Sequence, residues 1–155
     1  MEGATPITTP MAQATTPDGS DVDTREYQSR TGSLMWPSLA SRPDFCFAAG
    51  YLGRSNSCPK ESHMSAQKRV MRYIKSSLDY GILYDASSTE GLIGYSDADY
   101  GGDLIDRKST SGMVYTLFGG AISWASTKQK TVATATVVAE YIALTPIIKE
   151  ALWLK

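Results

Sequence analysis

The sequence predicts an α/β fold in which helices come first and a small antiparallel sheet with one further helix follows. Apolar residues recur every three or four positions within residues 26–80, as in helices that bury one face. Apolar and polar residues then alternate over Leu92–Asp99, and a later β-rich run meets the pair Gly119-Gly120, as in a hairpin. A last helical pattern follows, so residues 81–155 are expected to form one sheet-containing domain.

Residues 1–25 are predicted to be a disordered tail. They are rich in Thr, Pro, Ala and Asp, show no apolar periodicity and include the turn signal Pro17-Asp18-Gly19-Ser20. Such a segment cannot bury enough apolar surface to offset the entropy cost of ordering it.

Residues 26–80 are predicted to be a helical segment. Pro43 suits the first turn of a helix, and Asp44 suits its positive end. An apolar stripe with helical spacing follows, made of Phe45, Ala48, Ala49 and Leu52. The clearest helix runs from His63 to about Ser76, and its apolar arc consists of Met64, Val70, Met71, Ile74 and Leu78.

The same helix has a basic stripe beside its apolar arc. The stripe consists of Lys68, Arg69, Arg72 and Lys75, with no acidic residue among them. One interpretation is the solvated face of an amphipathic helix. The other is a contact with a phosphate backbone, because clustered Lys and Arg gain affinity by releasing counterions. The residues alone leave both interpretations open.

Three antiparallel strands are predicted to form a meander after a short strand at Ile82–Tyr84. The first strand is Leu92–Asp99 and the second is Met113–Phe118. The two-residue turn Gly119-Gly120 then leads into the third strand, Ala121–Ala125. One face of the first strand contains Ile93, Tyr95, Asp97 and Asp99.

A helix is predicted around Val138–Leu144. Pro146 is expected to kink or stop it, because proline removes a backbone hydrogen bond from a helix interior. A second helical piece is expected from Ile147 to the end of the chain.

Composition excludes several classes of protein. The 155 residues are 42% apolar, enough for a core, and the net charge of −1 gives no global sign of a nucleic-acid binder. Cys46, Cys58 and the single His63 are too few for a disulfide framework, a zinc site or a supported nucleophile–histidine hydrolase. With no long apolar span and no secretory signal, an intracellular location in cytoplasm or nucleus is expected.

The stretch Tyr95–Lys108 reads YSDADYGGDLIDRK and holds four aspartates within ten residues. A calcium loop is excluded, because Gly101 and Lys108 stand where such a loop needs oxygen ligands. A solvated acidic loop explains Asp103 and Asp106, which lie among glycines and beside cations.

Asp97 needs a different explanation, because an aspartate within a strand pattern runs against strand propensity. We expect it to be partly buried, which costs free energy unless the carboxylate has a partner. Magnesium-dependent cleavage of a phosphodiester would supply one. Hard cations prefer oxygen ligands, so the lack of nearby histidine and cysteine is no obstacle.

The chain from residue 27 to residue 155 resembles copia-type retrotransposon polyproteins. GYSDADYGGDLIDRKSTSG (94–112) and GGAISWASTKQKTVATATVVAEYIALTPIIKEALWLK (119–155) are similar to the start of the family's ribonuclease H domain. Upstream, YQSRTGSLMWPSLASRPDFCFAAGYLGR and AQKRVMRYIKSSLDYGILY resemble the connection between the reverse transcriptase and that domain.

The resemblance implies a ribonuclease H-like fold with two magnesium ions that cleaves the RNA strand of RNA–DNA hybrids. Asp97 matches the first catalytic aspartate and Glu140 the catalytic glutamate of the first helix, so both are expected to be magnesium ligands. Asp99 is expected as an accessory carboxylate, and Arg107 and Lys108 as phosphate contacts. The partners implied are a hybrid or RNA and the rest of the Pol polyprotein.

Departures from the family predict a chain without activity of its own. The family's remaining catalytic aspartates follow the Ala151–Leu154 helix, so only a partial ribonuclease H-like fold and at most one weakly bound magnesium ion are expected. Val137 replaces the threonine expected to cap the last helix. The first strand is expected to keep an open edge that favours association. The alternative function is a non-catalytic RNA- or hybrid-binding module.

Overall fold

A computed structural model describes residues 3–12 and 16–155, which form two compact units, Met1–Gly81 and Ile82–Lys155. The elements of the first unit are α1 (Thr24–Ala40), a 3₁₀ turn (Pro43–Phe45), α2 (Cys46–Gly53) and α3 (Glu61–Lys75). Those of the second are β1 (Ile93–Asp99), β2 (Thr110–Leu117), β3 (Gly120–Lys128) and α4 (Thr136–Leu154). Within the described ranges, no helix is both long and apolar enough to cross a bilayer.

The first unit has a core made by its three helices. Asp23 caps α1, since its carboxylate accepts hydrogen bonds from the backbone N–H groups of Arg25 and Glu26 at 2.8 and 3.2 Å. The Tyr27 hydroxyl donates to the Leu52 carbonyl at 2.9 Å and ties α1 to α2. The buried apolar cluster consists of Leu34, Phe45, Ala48, Ala49, Leu52, Val70 and Tyr73.

The buried side chain of Arg42, paired with the more exposed Asp44, fastens the loop between α1 and α2 to the end of α3. The Arg42 guanidinium donates to Asp44 and to the carbonyl and hydroxyl of Ser77, at 3.0 and 2.7 Å for the serine. It also lies 5.4–5.9 Å from the ring centroids of Phe45, Tyr73 and Tyr80. Burial alone would raise the pKa of Asp44, but the hydrogen bonds from Arg42 and Tyr73 outweigh it and lower that pKa.

The buried side of α3 is rotated from the predicted apolar arc. Its buried residues are His63, Gln67, Val70 and Tyr73. Gln67 can be buried because its amide donates to the Tyr27 carbonyl at 2.9 Å and to the Thr31 hydroxyl at 2.6 Å. Leu78, predicted in the apolar arc, is exposed instead, because the helix ends at Lys75.

The predicted disorder of residues 1–25 stays a prediction. Residues 1, 2 and 13–15 lie outside the described ranges. Among the described ones, residues 16–23 run beside the start of α3, where Asp18 and Ser62 exchange hydrogen bonds of 2.9 and 3.1 Å. Asp21 forms an antiparallel bridge with Lys60.

The sheet of the second unit is the predicted antiparallel meander, in the order β1-β2-β3. Asp97 pairs with Gly112, and Val114 pairs with Trp124. The hairpin turn lies one residue earlier than predicted: Phe118 and Gly119 occupy it with φ of 52° and 74°, while Gly120 already pairs with Leu117. Positive φ at both central positions is typical of the turn that best matches strand twist.

The short strand predicted at Ile82–Tyr84 is wrong, since these residues lack strand structure. They nevertheless line the hairpin. The Tyr84 hydroxyl donates to the Ala121 carbonyl at 2.8 Å, and the Asp85 N–H donates to the Phe118 carbonyl at 2.9 Å.

Helix α4 runs unbroken through Pro146, so the predicted second piece is part of one helix. It packs on one face of the sheet. The Ser96 hydroxyl donates to the Ala143 carbonyl at 3.1 Å, and the Tyr115 hydroxyl donates to the Ile147 carbonyl at 2.6 Å. The buried cluster between them is made of Ala98, Ala133, Ala139 and Ala143.

The opposite side of α4 is also apolar, and it is exposed. This outer stripe consists of Val137, Tyr141, Leu144, Ile148 and Leu152, which are 42–73% exposed. The spacing of three or four residues places all five on one side of the helix.

The α/β architecture and the meander with its following helix are therefore confirmed.

Candidate functional site

Asp97 lies at the centre of β1 and is exposed, not partly buried as predicted. Its neighbours Ser96 and Ala98 point toward α4. Because successive residues of a strand point to opposite faces, Asp97 lies on the face away from α4. Its partner across the ladder is Gly112, which has no side chain to cover the carboxylate.

Glu140 lies in the second turn of α4 and is half-buried, next to the fully buried Ala139. Since α4 packs on the other side of the sheet, the structure does not bring Glu140 and Asp97 onto one face. No cluster of three or more Asp, Glu, His or Cys side chains within the described ranges could hold a metal ion.

Asp99 ends β1 on the same face as Asp97. Its carboxylate occupies the space beside Gly102 that a Cβ atom at that position would need. Gly102 therefore allows Asp99 to fold back over the loop.

Asp103 holds the following loop together. It is 6% exposed, and its carboxylate accepts from the N–H groups of Ile105 and Asp106 at 3.0 and 3.3 Å and from the Lys128 ammonium at 2.5 Å. Burial alone would raise its pKa, but the bonds from Lys128 and the backbone lower the pKa to about 2. The interpretation of Asp103 as a solvated loop residue is wrong, because Asp103 is buried and its carboxylate is bonded to Lys128. The sequence did not reveal this because Lys128 lies 25 residues later in the chain.

The two cations of this loop differ in their surroundings. Arg107 is exposed and adopts a left-handed backbone with φ of 56°. The Lys108 ammonium lies 3.6 Å from the carboxylate of Asp106, which also pairs with Lys128 at 2.9 Å. A phosphate would therefore compete with a carboxylate for Lys108.

The basic stripe of α3 is partly occupied by residues 3–12. Lys68 and Lys75 are exposed, whereas Arg69 and Arg72 are half-buried. Arg69 donates to the Thr9 hydroxyl and Arg72 to the Thr5 carbonyl, each at 2.8 Å.

His63 is fixed in a tautomer that cannot activate its neighbour Ser55. The backbone N–H of Lys60 donates to Nδ1 at 3.0 Å, so the proton of the neutral ring lies on Nε2. Nε2 then donates to the Ser55 hydroxyl at 3.2 Å, whereas a general base would accept from it. Burial lowers the pKa of His63 and keeps the ring neutral.

Comparison with known proteins places the chain in a family. It is 38% identical over 165 residues to the retrovirus-related Pol polyprotein from transposon TNT 1-94 of Nicotiana tabacum, covering 100% of this chain and 12% of the polyprotein. It is 37% identical over 158 residues to the Pol polyprotein from transposon RE2 of Arabidopsis thaliana, covering 99% and 11%. The chain belongs to the copia-type retrotransposon Pol family.

A further relative of this Pol-family chain is the secreted RxLR effector protein 161 of Plasmopara viticola. The two are 44% identical over 128 residues, which cover 83% of this chain and 90% of the effector. No protein-family model and no solved structure matches the chain.

Sequence reasoning missed the residues of this Pol-family chain that meet the basic stripe. Thr5, Ile7 and Thr9 lie in a segment with no periodic pattern, and their partners are more than 55 residues away. Two of the three contacts use backbone carbonyls, which every residue has. No sequence signal could have found them.

Proposed function

We propose that this chain is the ribonuclease H-type segment of a Pol polyprotein and that it does not cleave hybrids by itself. The proposal is supported by the order β1, β2, β3, α4, with Asp97 at the centre of the first strand and Glu140 in the second turn of the following helix. These are the positions that the resemblance implies for two catalytic carboxylates.

The residues of this chain do not by themselves fit a pair of magnesium ions. Asp97 and Glu140 approach from opposite faces of the sheet, and no third carboxylate of the described ranges joins them. Magnesium demands octahedral oxygen ligation and keeps several waters when protein ligands are few. The magnesium site that the resemblance implies would therefore need ligands and a geometry that the described residues of this chain do not supply.

Mixing this chain with the segment that follows the matching region in the TNT 1-94 polyprotein tests the proposal. We expect no cleavage of a labelled hybrid by the chain alone in magnesium and cleavage by the mixture. Asp97→Asn and Glu140→Gln should abolish that cleavage, since each removes a carboxylate that the resemblance implies as a metal ligand. Asp106→Asn, which removes the same charge from a loop carboxylate, should not.

Two outcomes would contradict it. A mixture that associates on size-exclusion chromatography but does not cleave removes the ribonuclease H assignment. Cleavage by the chain alone that disappears in Asp97→Asn removes the statement that it is inactive by itself.

The second candidate function, hybrid binding without cleavage, is favoured by the basic stripe. Lys68, Arg69, Arg72 and Lys75 lie along α3 with no acidic residue between Ser62 and Ser76. Such a surface gains affinity from counterion release, so binding should weaken steeply with salt.

A charge-neutralising variant tests this second function. Lys68→Gln together with Lys75→Gln should lower the affinity for an RNA–DNA hybrid and reduce the slope of log affinity against log salt by about two. Lys149→Gln together with Lys155→Gln removes the same two charges outside the stripe and should leave the slope unchanged. Equal effects of both changes would show that only net charge matters.

A further inference from the structure

Residues 3–12 lie along the C-terminal half of α3 and make three hydrogen bonds with it. Arg72 donates to the Thr5 carbonyl at 2.8 Å, Ser76 to the Ile7 carbonyl at 2.6 Å, and Arg69 to the Thr9 hydroxyl at 2.8 Å. All three donors are side chains of α3 or its cap, and two of them belong to the basic stripe.

The segment is also anchored by an apolar contact. Met11 is half-buried and packs against the apolar cluster of the first unit. Ile7 and Pro10 are half-buried as well, whereas Thr5 and Thr9 are exposed. Ile7, Pro10 and Met11 are therefore the more buried part of the segment, while Thr5 and Thr9 accept hydrogen bonds from α3 and remain exposed to solvent.

The fit between the segment and α3 is loose and incompletely bonded. A partly open groove of about 530 Å³ runs along this contact and is lined by Ile7, Pro10 and Met11 of the segment and by Arg69 and Arg72 of α3, among others. Arg69 Nε is buried without a hydrogen-bond partner within the described ranges. A buried donor without an acceptor costs free energy, so the closed arrangement does not satisfy this guanidinium fully.

The acceptors that the segment offers are neutral. A carbonyl and a hydroxyl bind a guanidinium less strongly than an anionic oxygen does, because charge-assisted hydrogen bonds are roughly twice as strong. A phosphate also presents several oxygens and could satisfy Arg69 Nε together with Nη2. The segment has the advantage of being part of the same chain, which keeps its local concentration high.

We propose that residues 3–12 are an N-terminal strap that masks Arg69 and Arg72, and that the phosphates of an RNA–DNA hybrid compete with the strap for these two guanidinium groups. This inference rests on the hybrid binding proposed above. Free chain keeps the strap closed, and bound hybrid displaces it.

Deleting residues 3–12 tests the competition without changing the charge, because the segment GATPITTPMA contains no ionisable side chain. The deletion should tighten hybrid binding about tenfold, as expected when a competing intramolecular ligand is removed. The slope of log affinity against log salt should not change, because the bound state makes the same phosphate contacts in both proteins.

Met11→Ala is the second variant, because it weakens the anchor and leaves the rest of the strap in place. It should tighten binding by a smaller factor, with circular dichroism confirming that the helices persist. Arg69→Gln together with Arg72→Gln, made with and without the strap, should weaken binding in both and remove the difference between them.

The outcomes separate the strap from the hybrid-binding function. Equal affinity of the full and strap-deleted chains, with both binding, overturns the strap and leaves hybrid binding intact. A salt slope that steepens by about two on deletion means that hybrid does not displace the strap, which overturns competition. If no variant binds hybrid, both proposals fall.

A readout without nucleic acid checks the closed state directly. The side-chain Nε–H signal of Arg72 in nitrogen-15 spectra should shift when residues 3–12 are deleted, because its bond to the Thr5 carbonyl is lost. An unchanged signal would overturn the strap whatever the binding data show.

Discussion

Buried polar side chains tie distant parts of each unit together. Arg42 joins Asp44 to Ser77, and Asp103 joins its own loop to Lys128. Each group is buried with partners that satisfy it, as buried polar groups must be. The Arg42–Ser77 and Asp103–Lys128 contacts have no local signature, because their partners lie 35 and 25 residues apart in the chain. This is why the sequence predicted Asp103 to be solvated.

His63 should make the first unit sensitive to mild acid. Burial lowers the pKa of His63, so the unfolded chain takes up a proton at a higher pH than the folded chain. Stability is then full above the unfolded pKa of about 6.5 and is lost as the pH falls through the folded value. The loss is at most about 1.4 kcal/mol per pH unit, the limit for one proton.

The measurement is urea unfolding between pH 8 and pH 5, followed by circular dichroism, for the original chain and His63→Gln. A glutamine at this position can still accept from the Lys60 N–H and does not titrate. The free energy of unfolding of the variant should not change with pH over the range in which that of the original chain falls. A slope retained in the variant would assign the acid sensitivity to another group.

At the scale of elements, sequence periodicity predicted those features of the fold that depend on local pattern. The strands, the hairpin and the helices were predictable because alternation and helical spacing act within a few residues. The turn was displaced by one residue because Phe118 adopts a positive φ that sequence rules reserve for glycine. Pro146 did not end α4, since Ile147 stays buried against the sheet and its carbonyl accepts from Tyr115.

The start of α4 offers a stabilising substitution. Its N-cap is Ala135, two residues before the position predicted, with φ of −153°, ψ of 159° and no side-chain hydrogen bond. Ala135→Ser supplies a hydroxyl that can accept from a free N–H of the first turn. It should stabilise the second unit by about 0.5–2 kcal/mol, measured by thermal unfolding.

The control is Ala151→Ser, which places the same hydroxyl in the last turn, where N–H groups are already bonded within the helix. This substitution should not stabilise the second unit. A similar gain from both would mean that the effect is not capping.

At the scale of the whole molecule, the two units have cores of different size. The first buries Leu34, Phe45 and Leu52 in one cluster, whereas the buried cluster of the second is made of alanines, with Tyr115 and Ile147 buried outside it. A fully buried Leu or Phe stabilises by about 1.5–3 kcal/mol, far more than Ala can. Both edges of the three-stranded sheet are also without a neighbouring strand among the described residues.

We therefore expect the second unit to unfold first and to associate at high concentration, through open strand edges. Tryptophan fluorescence of Trp36→Phe follows the second unit alone, since the remaining tryptophans are Trp124 and Trp153. Leu52→Ala should lower only the later transition, by about 2–5 kcal/mol. One sharp transition of a monomer, identical for every probe, would contradict this expectation.

The candidate site was predictable only in part. The positions of Asp97 in a strand and Glu140 in a helix followed from local pattern and resemblance. The face toward which Asp97 points did not, because it depends on which side of the sheet α4 covers, and that choice is made by Ser96, Ala98 and Ala143 together.

The outer stripe of α4 has a practical consequence for work with the protein. Because α4 is apolar on two opposite sides, the protein should bind to hydrophobic surfaces such as detergent micelles, plastic walls and phenyl chromatography resin. Replacing Tyr141 and Ile148 with glutamine would make that side wettable while leaving the packing of Ala139, Ala143 and Ile147 untouched. Recovery during purification should rise accordingly.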